Sequence, residues 1–296
     1  MYTEYFGLHH KPFNLVPDPA FFYLSPNHKK ALTMLEYGLM SKAGFTVVTG
    51  DIGAGKTTLI RLLLEKIGND CVLGMINNTH ESFGELMTWV LDALDIDSTA
   101  TDNSGRYRDY IDFVIDQHVQ GRRVVLIVDE AQNLSVKSLE QLRLLSNVNV
   151  DADIFFQLIL TGQPQLIDKL NQPELEQFSQ RIGVEYHLKA LSNPETQKYI
   201  EHRLKMAGAD QSIFSDEACA IIYCYSEGVP RRINSLCDFA LVYAFADDKK
   251  HVGADLVLEI MEDKKASSII KSTEIENIEV NKVKKMLLEQ FNISLS

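Results

Sequence analysis

The sequence is poor in the residues that build metal centres and disulfide frameworks. Among 296 residues there are four cysteines, and none forms a C-x-x-C pair. Cys219 and Cys224 are five positions apart, which suits neither a zinc knuckle nor a redox motif. The histidines are scattered, and no H-E-x-x-H segment occurs. We therefore expect four reduced, partly buried thiols.

The sequence also lacks a long hydrophobic run and an excess of positive charge. No stretch approaches the roughly 18 consecutive apolar residues of a membrane span, and residues 1–4 do not begin a signal peptide. We expect a cytoplasmic protein that would reach the inner membrane only through partners. The net charge is −12. An acidic protein repels phosphate backbones, so nucleic acid is not a favoured partner, although a local basic patch would permit one.

The pattern of predicted elements divides the chain into four parts. Residues 1–24, rich in aromatic residues and proline, predict an extended strap. Residues 25–190 alternate strands with helices, which predicts an α/β domain with a five-stranded parallel sheet. Residues 191–265 carry only helical signals and predict a small helical lid. Residues 266–296 fit either an amphipathic helix that docks elsewhere or a frayed tail.

Two roles fit the aromatic side chains of the strap. In one, they cover the adenine ring of a bound nucleotide. In the other, they pack on the edge of the sheet through Phe6, Leu8 and Phe13. The sequence leaves both roles open.

A glycine-rich segment lies between the first predicted strand and a helix. Residues 50–57 read G-D-I-G-A-G-K-T and match G-x-x-x-x-G-K-[ST] at every fixed position. Glycines let the backbone curl so that its N–H groups point at phosphate oxygens, and the helix N-terminus adds a partial positive charge. Lys56 would contact the β- and γ-phosphates of ATP, and the Thr57 hydroxyl would bind Mg²⁺. The expected nucleotide-binding residues are Gly50, Asp51, Ile52, Gly53, Ala54, Gly55, Lys56, Thr57 and Thr58.

A second acidic motif ends the apolar strand of residues 124–128. Asp129 and Glu130 follow this strand, 72 residues beyond Thr57. In a P-loop protein such an aspartate supports Mg²⁺, and the glutamate is placed to orient or deprotonate the attacking water. The two motifs together predict hydrolysis of ATP to ADP and phosphate.

Three further positions offer polar side chains to such a site. Gln163, with Thr161 as second choice, follows a strand and would contact the γ-phosphate or the water; the alternative is a solvated turn. Arg181 would reach the nucleotide of a neighbouring subunit as an arginine finger, or form a surface salt bridge. Arg231, favoured over Arg232, would point from the lid to the phosphates, or lie in a solvated basic turn.

In combination, these segments resemble the AAA+ ATPases of the bacterial general secretion pathway, the ExeA/GspA-like family. Its cousins serve biogenesis of the mannose-sensitive haemagglutinin pilus and exopolysaccharide export. The resemblance covers residues 1 to about 250. Besides the glycine-rich loop, the matching segments are Tyr5-Phe6-Gly7-Leu8, Pro12-Phe13, Pro17-Asp18-Pro19, Tyr23-Leu24-Ser25, Asp129-Glu130-Ala131-Gln132-Asn133-Leu134, Leu139 to Asn147, Gly162-Gln163-Pro164, Gln180-Arg181-Ile182 and Gly228 to Asn234.

The resemblance implies an AAA+ fold, nucleotide-dependent homo-oligomers and membrane-associated secretion or pilus assembly proteins as partners. It also implies a trans-acting role for Arg181 and a second sensor role for Arg231. One position departs from the family, because Glu185 stands where many relatives have an arginine.

Two other functions would use the same motifs. A transposition-helper ATPase has a related core and binds DNA, and the acidic net charge argues against it. A nucleotide-sensing scaffold would bind ATP with negligible turnover, and the presence of Glu130 argues against it. We therefore predict an AAA+ ATPase that assists assembly or regulation of a bacterial secretion, pilus or polysaccharide-export machine.

Overall fold

The computed structural model describes two compact units. It covers residues 1–16, 18–68, 70–77, 85–148 and 154–267, with the backbone alone for residues 264–267. The α/β unit comprises Pro26–Asp51 and Lys56–Lys189. The helical unit comprises Met1–Ser25, Ile52–Gly55 and the described residues from Ala190 onward.

A sheet of five parallel strands forms the centre of the α/β unit. The strands are β1 Phe45–Gly50, β2 Cys71–Ile76, β3 Arg123–Val128, β4 Phe156–Gly162 and β5 Ile182–Leu188. Their spatial order is β2-β3-β4-β1-β5, and every pairing is parallel. Strands β1 and β4 are buried along their whole length, as expected for apolar strands of a parallel sheet covered by helices. The predicted α/β fold with a five-stranded parallel sheet is confirmed.

The α-helices are numbered in chain order through both units. They are α1 Tyr2–Tyr5, α2 Pro26–Met40, α3 Lys56–Lys66, α4 Leu86–Ala93, α5 Asn103–Val119, α6 Val136–Leu145, α7 Gln165–Leu170, α8 Glu176–Ser179, α9 Asn193–Met206, α10 Asp216–Ser226, α11 Pro230–Ala246 and α12 Ala254–Ser267. None of the helices in the described part of the chain is both long and apolar enough to cross a membrane.

Two short helices differ from what the sequence predicts. The sequence predicts one short helix over residues 173–182, whereas the structure forms a 3₁₀ turn at Pro173–Leu175 followed by the four-residue α8. The helix α7 was not predicted, because its six residues are too few to display a helical period. The predicted tail from residue 266 lies outside the described residues except for the end of α12.

The caps of the helical unit follow local sequence signals. Ser192 is the N-cap of α9, where it forms a capping box with Glu195. The Ser215 hydroxyl accepts a hydrogen bond from the backbone N–H of Ala218 at the start of α10. Pro230 opens α11 in the first helical position.

The strap packs within the helical unit. Leu8 and Phe13 are buried in the same apolar cluster as residues of α9, α10 and α11, and Phe6 packs against that cluster. The rings of Phe13 and Phe214 lie 5.9 Å apart, edge to face. The expectation that these side chains pack on the sheet edge is therefore wrong. A role of the strap in covering adenine remains a prediction.

Candidate functional site

The carboxyl ends of three neighbouring strands bring the acidic motif beside β1 and β4. Strand β4 pairs with both β1 and β3, and Asp129 directly follows β3. Parallel strands end at the same edge of a sheet, where ligands bind in open α/β folds. Residues that are distant in sequence therefore meet at this edge of the α/β unit.

The Thr57 hydroxyl donates a 2.6 Å hydrogen bond to Oδ2 of Asp129. The other carboxylate oxygen of Asp129, Oδ1, accepts from the Thr161 hydroxyl at 2.5 Å and from the backbone N–H of Glu130 at 2.9 Å. Asp129 is buried, with 4% of its surface exposed. Its orientation is thus fixed by donors from three segments of the α/β unit.

The hydroxyl oxygen of Thr57 and the carboxylate of Asp129 suit a hard cation that takes few protein ligands. Mg²⁺ commonly takes one or two protein oxygens and fills its other positions with phosphate oxygens and water. Across the described part of the chain, no group of three or more His, Cys, Asp or Glu residues could hold a metal ion by itself. Thr57 and Asp129 therefore fit Mg²⁺ that arrives with a phosphate ligand.

Lys56 is buried at the start of α3. Its Nζ donates to the backbone carbonyls of Gly50 at 2.8 Å and Asp51 at 3.0 Å. Burial lowers the pKa of Lys56, and the carboxylates of Glu130, Asp129 and Asp51 oppose this shift. A cation removed from water attracts an anion more strongly than an exposed one does, so Lys56 is well suited to bind phosphate.

The glycine residues of the loop meet steric demands. A Cβ atom at Gly50 would lie 2.8 Å from the carbonyl oxygen of Leu188, on the neighbouring strand β5. Gly53 and Gly55 have φ angles of +81° and +100°, in the region that favours glycine. The pairing of β1 with β5 and the curl of the loop therefore both depend on glycine. Of the remaining expected loop residues, Ala54 is buried, Ile52 is exposed and Thr58 is half-buried in the first turn of α3.

Glu130 follows Asp129 in a left-handed backbone conformation, with φ 52° and ψ 37°. Its Oε2 atom accepts hydrogen bonds from Nε2 of Gln132 at 2.6 Å and from Nε2 of Gln163 at 3.2 Å. Gln163 is half-buried, and its backbone N–H donates to Oε1 of Gln132 at 2.9 Å. Gln163 is thus hydrogen-bonded to Glu130 and Gln132, and its contact with the γ-phosphate or the water remains a prediction. Two side-chain amides hold the carboxylate of Glu130.

Arg181 lies at the opposite edge of the sheet. It directly precedes β5, whose first residue Ile182 pairs with Phe45 at the start of β1. At about 3.3 Å per residue, a strand of six residues separates the two edges by roughly 20 Å. Arg181 therefore does not join Asp129 and Glu130 within its own α/β unit.

Neutral acceptors hold the guanidinium of Arg181. It donates to the hydroxyl of Ser146, to Oδ1 of Asn147 at 2.8 Å and to the carbonyl of Arg143 at 3.2 Å. Burial lowers the pKa of Arg181, and the positive charge of Arg143 adds to this effect. These contacts orient the side chain, and among the described residues no carboxylate forms a salt bridge with it.

Arg231 and Arg232 differ in their contacts within the helical unit. The backbone N–H of Arg231 donates to the carbonyl of Gly53 at 3.3 Å, and a Cβ atom at Gly53 would lie 2.4 Å from Cβ of Arg231. The guanidinium of Arg232 instead pairs with Glu227 at 2.7 Å. The use of Arg231 as a phosphate sensor remains a prediction.

Comparison with known proteins agrees with this geometry. Residues 39–170 match the model of a family described as AAA domain. The chain is 39% identical over 264 residues to general secretion pathway protein A of Aeromonas hydrophila. The chain therefore contains an AAA domain and is similar to general secretion pathway protein A. The match covers 88% of the chain but 48% of the relative, so the chain spans about half the length of that protein.

Solved structures share the fold of this AAA protein. One is the ORC2 protein of Aeropyrum pernix in its ADPNP-ADP complexes, with a TM-score of 0.62 and 16% identity over 96% of this chain and 85% of that chain. Another is Cdc6p of Pyrobaculum aerophilum, with a TM-score of 0.63 and 17% identity over 84% of this chain and 71% of that one. The RuvB branch migration motor of Thermotoga maritima gives a TM-score of 0.51 at 18% identity, over 90% and 76% of the two chains. At such low identity these likenesses establish the fold alone.

The side-chain contacts of three residues at this site were not predicted from the sequence. Gln132 contacts both Glu130 and Gln163. Thr161, the second choice for contact with the γ-phosphate or the water, directs its hydroxyl to Asp129. Lys169 donates to the carbonyls of Gln132 and Leu134, both at 2.6 Å. Of Gln132 and Lys169, which the sequence analysis did not name as candidate site residues, only Gln132 had a signal, as a long amide side chain two positions after the acidic pair.

Proposed function

We propose that this AAA protein binds ATP with Mg²⁺ and hydrolyses it to ADP and phosphate. The observation that carries the proposal is the 2.6 Å hydrogen bond between the hydroxyl of Thr57 and the carboxylate of Asp129. It joins the end of the glycine-rich loop to the acidic motif 72 residues later. The buried cation of Lys56, which directly precedes Thr57 and interacts electrostatically with Asp129, supports a triphosphate ligand.

Each residue of the proposed site has a distinct task. The backbone of residues 50–58 and the ammonium of Lys56 bind the phosphates. Thr57 and Asp129 would hold Mg²⁺, which would supply positive charge to neutralise the phosphate oxygens. Glu130 takes a proton from the water that attacks the γ-phosphorus, and ADP departs as the bond to its β-phosphate oxygen breaks. Gln163 orients the water.

Two arginines complete the proposed mechanism. Arg181 supplies positive charge to the nucleotide of a neighbouring copy, in a nucleotide-dependent homo-oligomer. Arg231 senses the phosphates from the helical unit. The position of Arg181 at the far edge of the sheet supports action on another copy rather than on its own nucleotide.

For the biological role, we propose that the protein acts in the cytoplasm and assists assembly or regulation of a secretion machine. Its partners in this role are membrane-associated assembly proteins. Support comes from the similarity to general secretion pathway protein A. Related pilus and polysaccharide-export machines fit the same proposal. The DNA-binding alternative is not favoured, because the net charge is −12 and the secretion relative does not point to DNA.

Binding of ATP and release of phosphate by the purified chain test the chemical proposal. We expect Mg²⁺-dependent ATP binding that chelation of Mg²⁺ weakens. Lys56→Ala should abolish binding. Lys66→Ala is the matched control, because it removes an exposed lysine from the same helix, one that forms a surface ion pair with Glu36 at 2.7 Å. ATP binding that is equal in Lys56→Ala and Lys66→Ala would refute the proposed phosphate site.

Glu130→Gln separates binding from hydrolysis. The amide keeps the shape of the carboxylate but cannot accept the proton from water, so ATP should bind while turnover falls by about 10²-fold or more. Unchanged turnover would remove Glu130 from the role of base. Thr57→Val, which keeps the side-chain shape and loses the hydroxyl, should weaken the Mg²⁺ dependence.

A further inference from the structure

Gln132 connects two residues of the proposed hydrolytic site. Its amide nitrogen donates to Oε2 of Glu130 at 2.6 Å, and its amide oxygen accepts from the backbone N–H of Gln163 at 2.9 Å. The amide nitrogen of Gln132 therefore contacts a residue that follows β3, and its amide oxygen contacts a residue that follows β4. The uncharged side-chain amide of glutamine supplies both the donor and the acceptor for this arrangement.

The backbone around Gln132 leaves room for this bridge. A Cβ atom at Gly162 would lie 2.9 Å from Oε1 of Gln132. Glycine at the end of β4 thus lets the Gln132 amide approach the sheet closely. The same Cβ atom would lie 2.9 Å from Cδ2 of Leu166, so a larger residue would require Gln132, Leu166 or both to shift.

The loop that carries Gln132 is itself anchored. The ammonium of Lys169 donates to the carbonyls of Gln132 and Leu134, both at 2.6 Å. The loop forms a short 3₁₀ helix, Ala131–Asn133, directly after the left-handed Glu130. Hydrogen bonds to a charged donor are stronger than those between neutral groups, so this anchor limits the movement of the loop.

A glutamate that acts as a base needs a defined direction as well as a charge. Its side chain has three rotatable bonds, and an error of about 1 Å in the position of a reacting group can lower a rate by about 10²-fold. We propose that Gln132 is a positioning residue. It holds the carboxylate of Glu130 in a fixed position beside Gln163, from which Glu130 can accept a proton from the attacking water. This inference rests on the proposed ATPase function.

The test compares Gln132→Met with Gln141→Met in the full chain. Methionine keeps the length of glutamine but can replace neither hydrogen bond. Gln141 is an exposed glutamine in α6 of the same unit, so it controls for the substitution itself. For Gln132→Met we expect kcat to fall by about 10- to 100-fold, with the KM and the Kd for Mg²⁺-ATP within about twofold of wild type. Gln141→Met should match wild type.

A double substitution distinguishes positioning from a general loss of structure. If Gln132 acts through Glu130, adding Gln132→Met to Glu130→Gln should not lower the single-turnover rate further. Gly162→Ala, which leaves Gln132 chemically intact, should lower kcat in the same way. Gln132→Glu serves if the methionine variant fails to fold, because it keeps an acceptor for Gln163 but places an anion against Glu130; its kcat should fall likewise.

The outcomes separate the inference from the function on which it rests. Absence of ATP hydrolysis by the wild-type chain would refute the proposed function. Hydrolysis that requires Lys56 and Glu130 but not Gln132 would refute only the positioning role. An equal loss of rate from Gln132→Met in the wild-type and Glu130→Gln backgrounds would also overturn it.

Discussion

The Nε atom of Arg203 donates a 2.6 Å hydrogen bond to the carbonyl of Pro12, 191 positions earlier in the chain. The same guanidinium donates to the hydroxyl of Tyr199 at 3.0 Å and lies over the rings of Phe21 and Tyr199 at 5.3 and 5.7 Å. Arg203 is buried, with 7% exposed. A charged group out of water must satisfy its donors, so this arginine joins the strap to helix α9.

Arg203→Met should therefore loosen the strap and destabilise the helical unit. Hydrogen bonds of a charged group contribute roughly 1.5–3 kcal/mol each, and we expect a loss of about 2–3 kcal/mol in the free energy of unfolding of this unit. Hydrogen exchange of the α9 amides measures it. Lys205→Met, an exposed substitution in the same helix, should change stability by less than about 0.5 kcal/mol. Equal exchange in the two variants would contradict the role given to Arg203.

Gly228→Ala should destabilise the helical unit through a backbone clash. Gly228 has φ +72°, and a Cβ atom there would lie 1.9 Å from the carbonyl oxygen of Leu191. Gly7 in the same unit has φ +68°, but nothing lies within 4 Å of the position of its Cβ. Gly7→Ala should cost about 1 kcal/mol from the left-handed backbone alone. Gly228→Ala should cost clearly more in chemical unfolding, and similar losses would show that the contact with Leu191 relaxes freely.

The sheet and the acidic edge could be predicted from sequence because their signals are local. The run of residues 124–128 is apolar and largely β-branched, which favours a buried parallel strand, and Asp129 at its end must then lie at the carboxyl edge. The glycine-rich pattern likewise fixes a turn before α3. Neither inference needs knowledge of which side chains touch.

The contacts of amides and aromatic residues could not be predicted in this way. The bridge from Gln132 to Glu130 depends on the left-handed backbone at residue 130 and on the space beside Gly162, and neither has a sequence period. The strap has aromatic residues that would suit any apolar surface. Its position on the helical unit depends on backbone acceptors such as the Pro12 carbonyl. Because every residue has a backbone carbonyl, such an acceptor gives no signal in the sequence.

At alkaline pH, Lys56 should take up a proton when ATP binds. Burial lowers the pKa of this lysine, so the unfolded chain retains its proton to higher pH than the folded chain does. Between the two pKa values the unfolded state binds more protons, and the contribution of Lys56 to stability therefore rises with pH. A bound triphosphate would raise the pKa again, so ATP affinity should fall as the pH rises through this window.

Calorimetry in two buffers of different ionisation enthalpy measures this proton uptake. The Lys56→Arg variant is the control, because a guanidinium keeps its proton throughout the range. Uptake should grow with pH in the wild type and be smaller in the variant. Equal uptake in both proteins would assign the proton to another group.

The position of Arg181 makes a prediction about mixed oligomers. Because it lies at the amino edge of the sheet, roughly 20 Å from the acidic edge of its own unit, Arg181 would have to act on the nucleotide of another copy. Arg181→Ala should keep ATP binding and lose about 10³-fold in turnover. Glu130→Gln should be inactive for a different reason. When the two inactive variants are mixed, some interfaces combine an intact Glu130 with an intact Arg181 from the neighbouring copy.

In an equimolar mixture with random head-to-tail assembly, about one quarter of the interfaces have this combination, so about a quarter of wild-type turnover should return. A mixture of Lys56→Ala with Glu130→Gln is the control, because each of its sites lacks either phosphate binding or the base. Recovery in the first mixture and not in the second would show that Arg181 acts between copies. If the first mixture stays inactive although both variants bind ATP and assemble, the contacts of Arg181 with Ser146 and Asn147 serve the stability of the α/β unit instead.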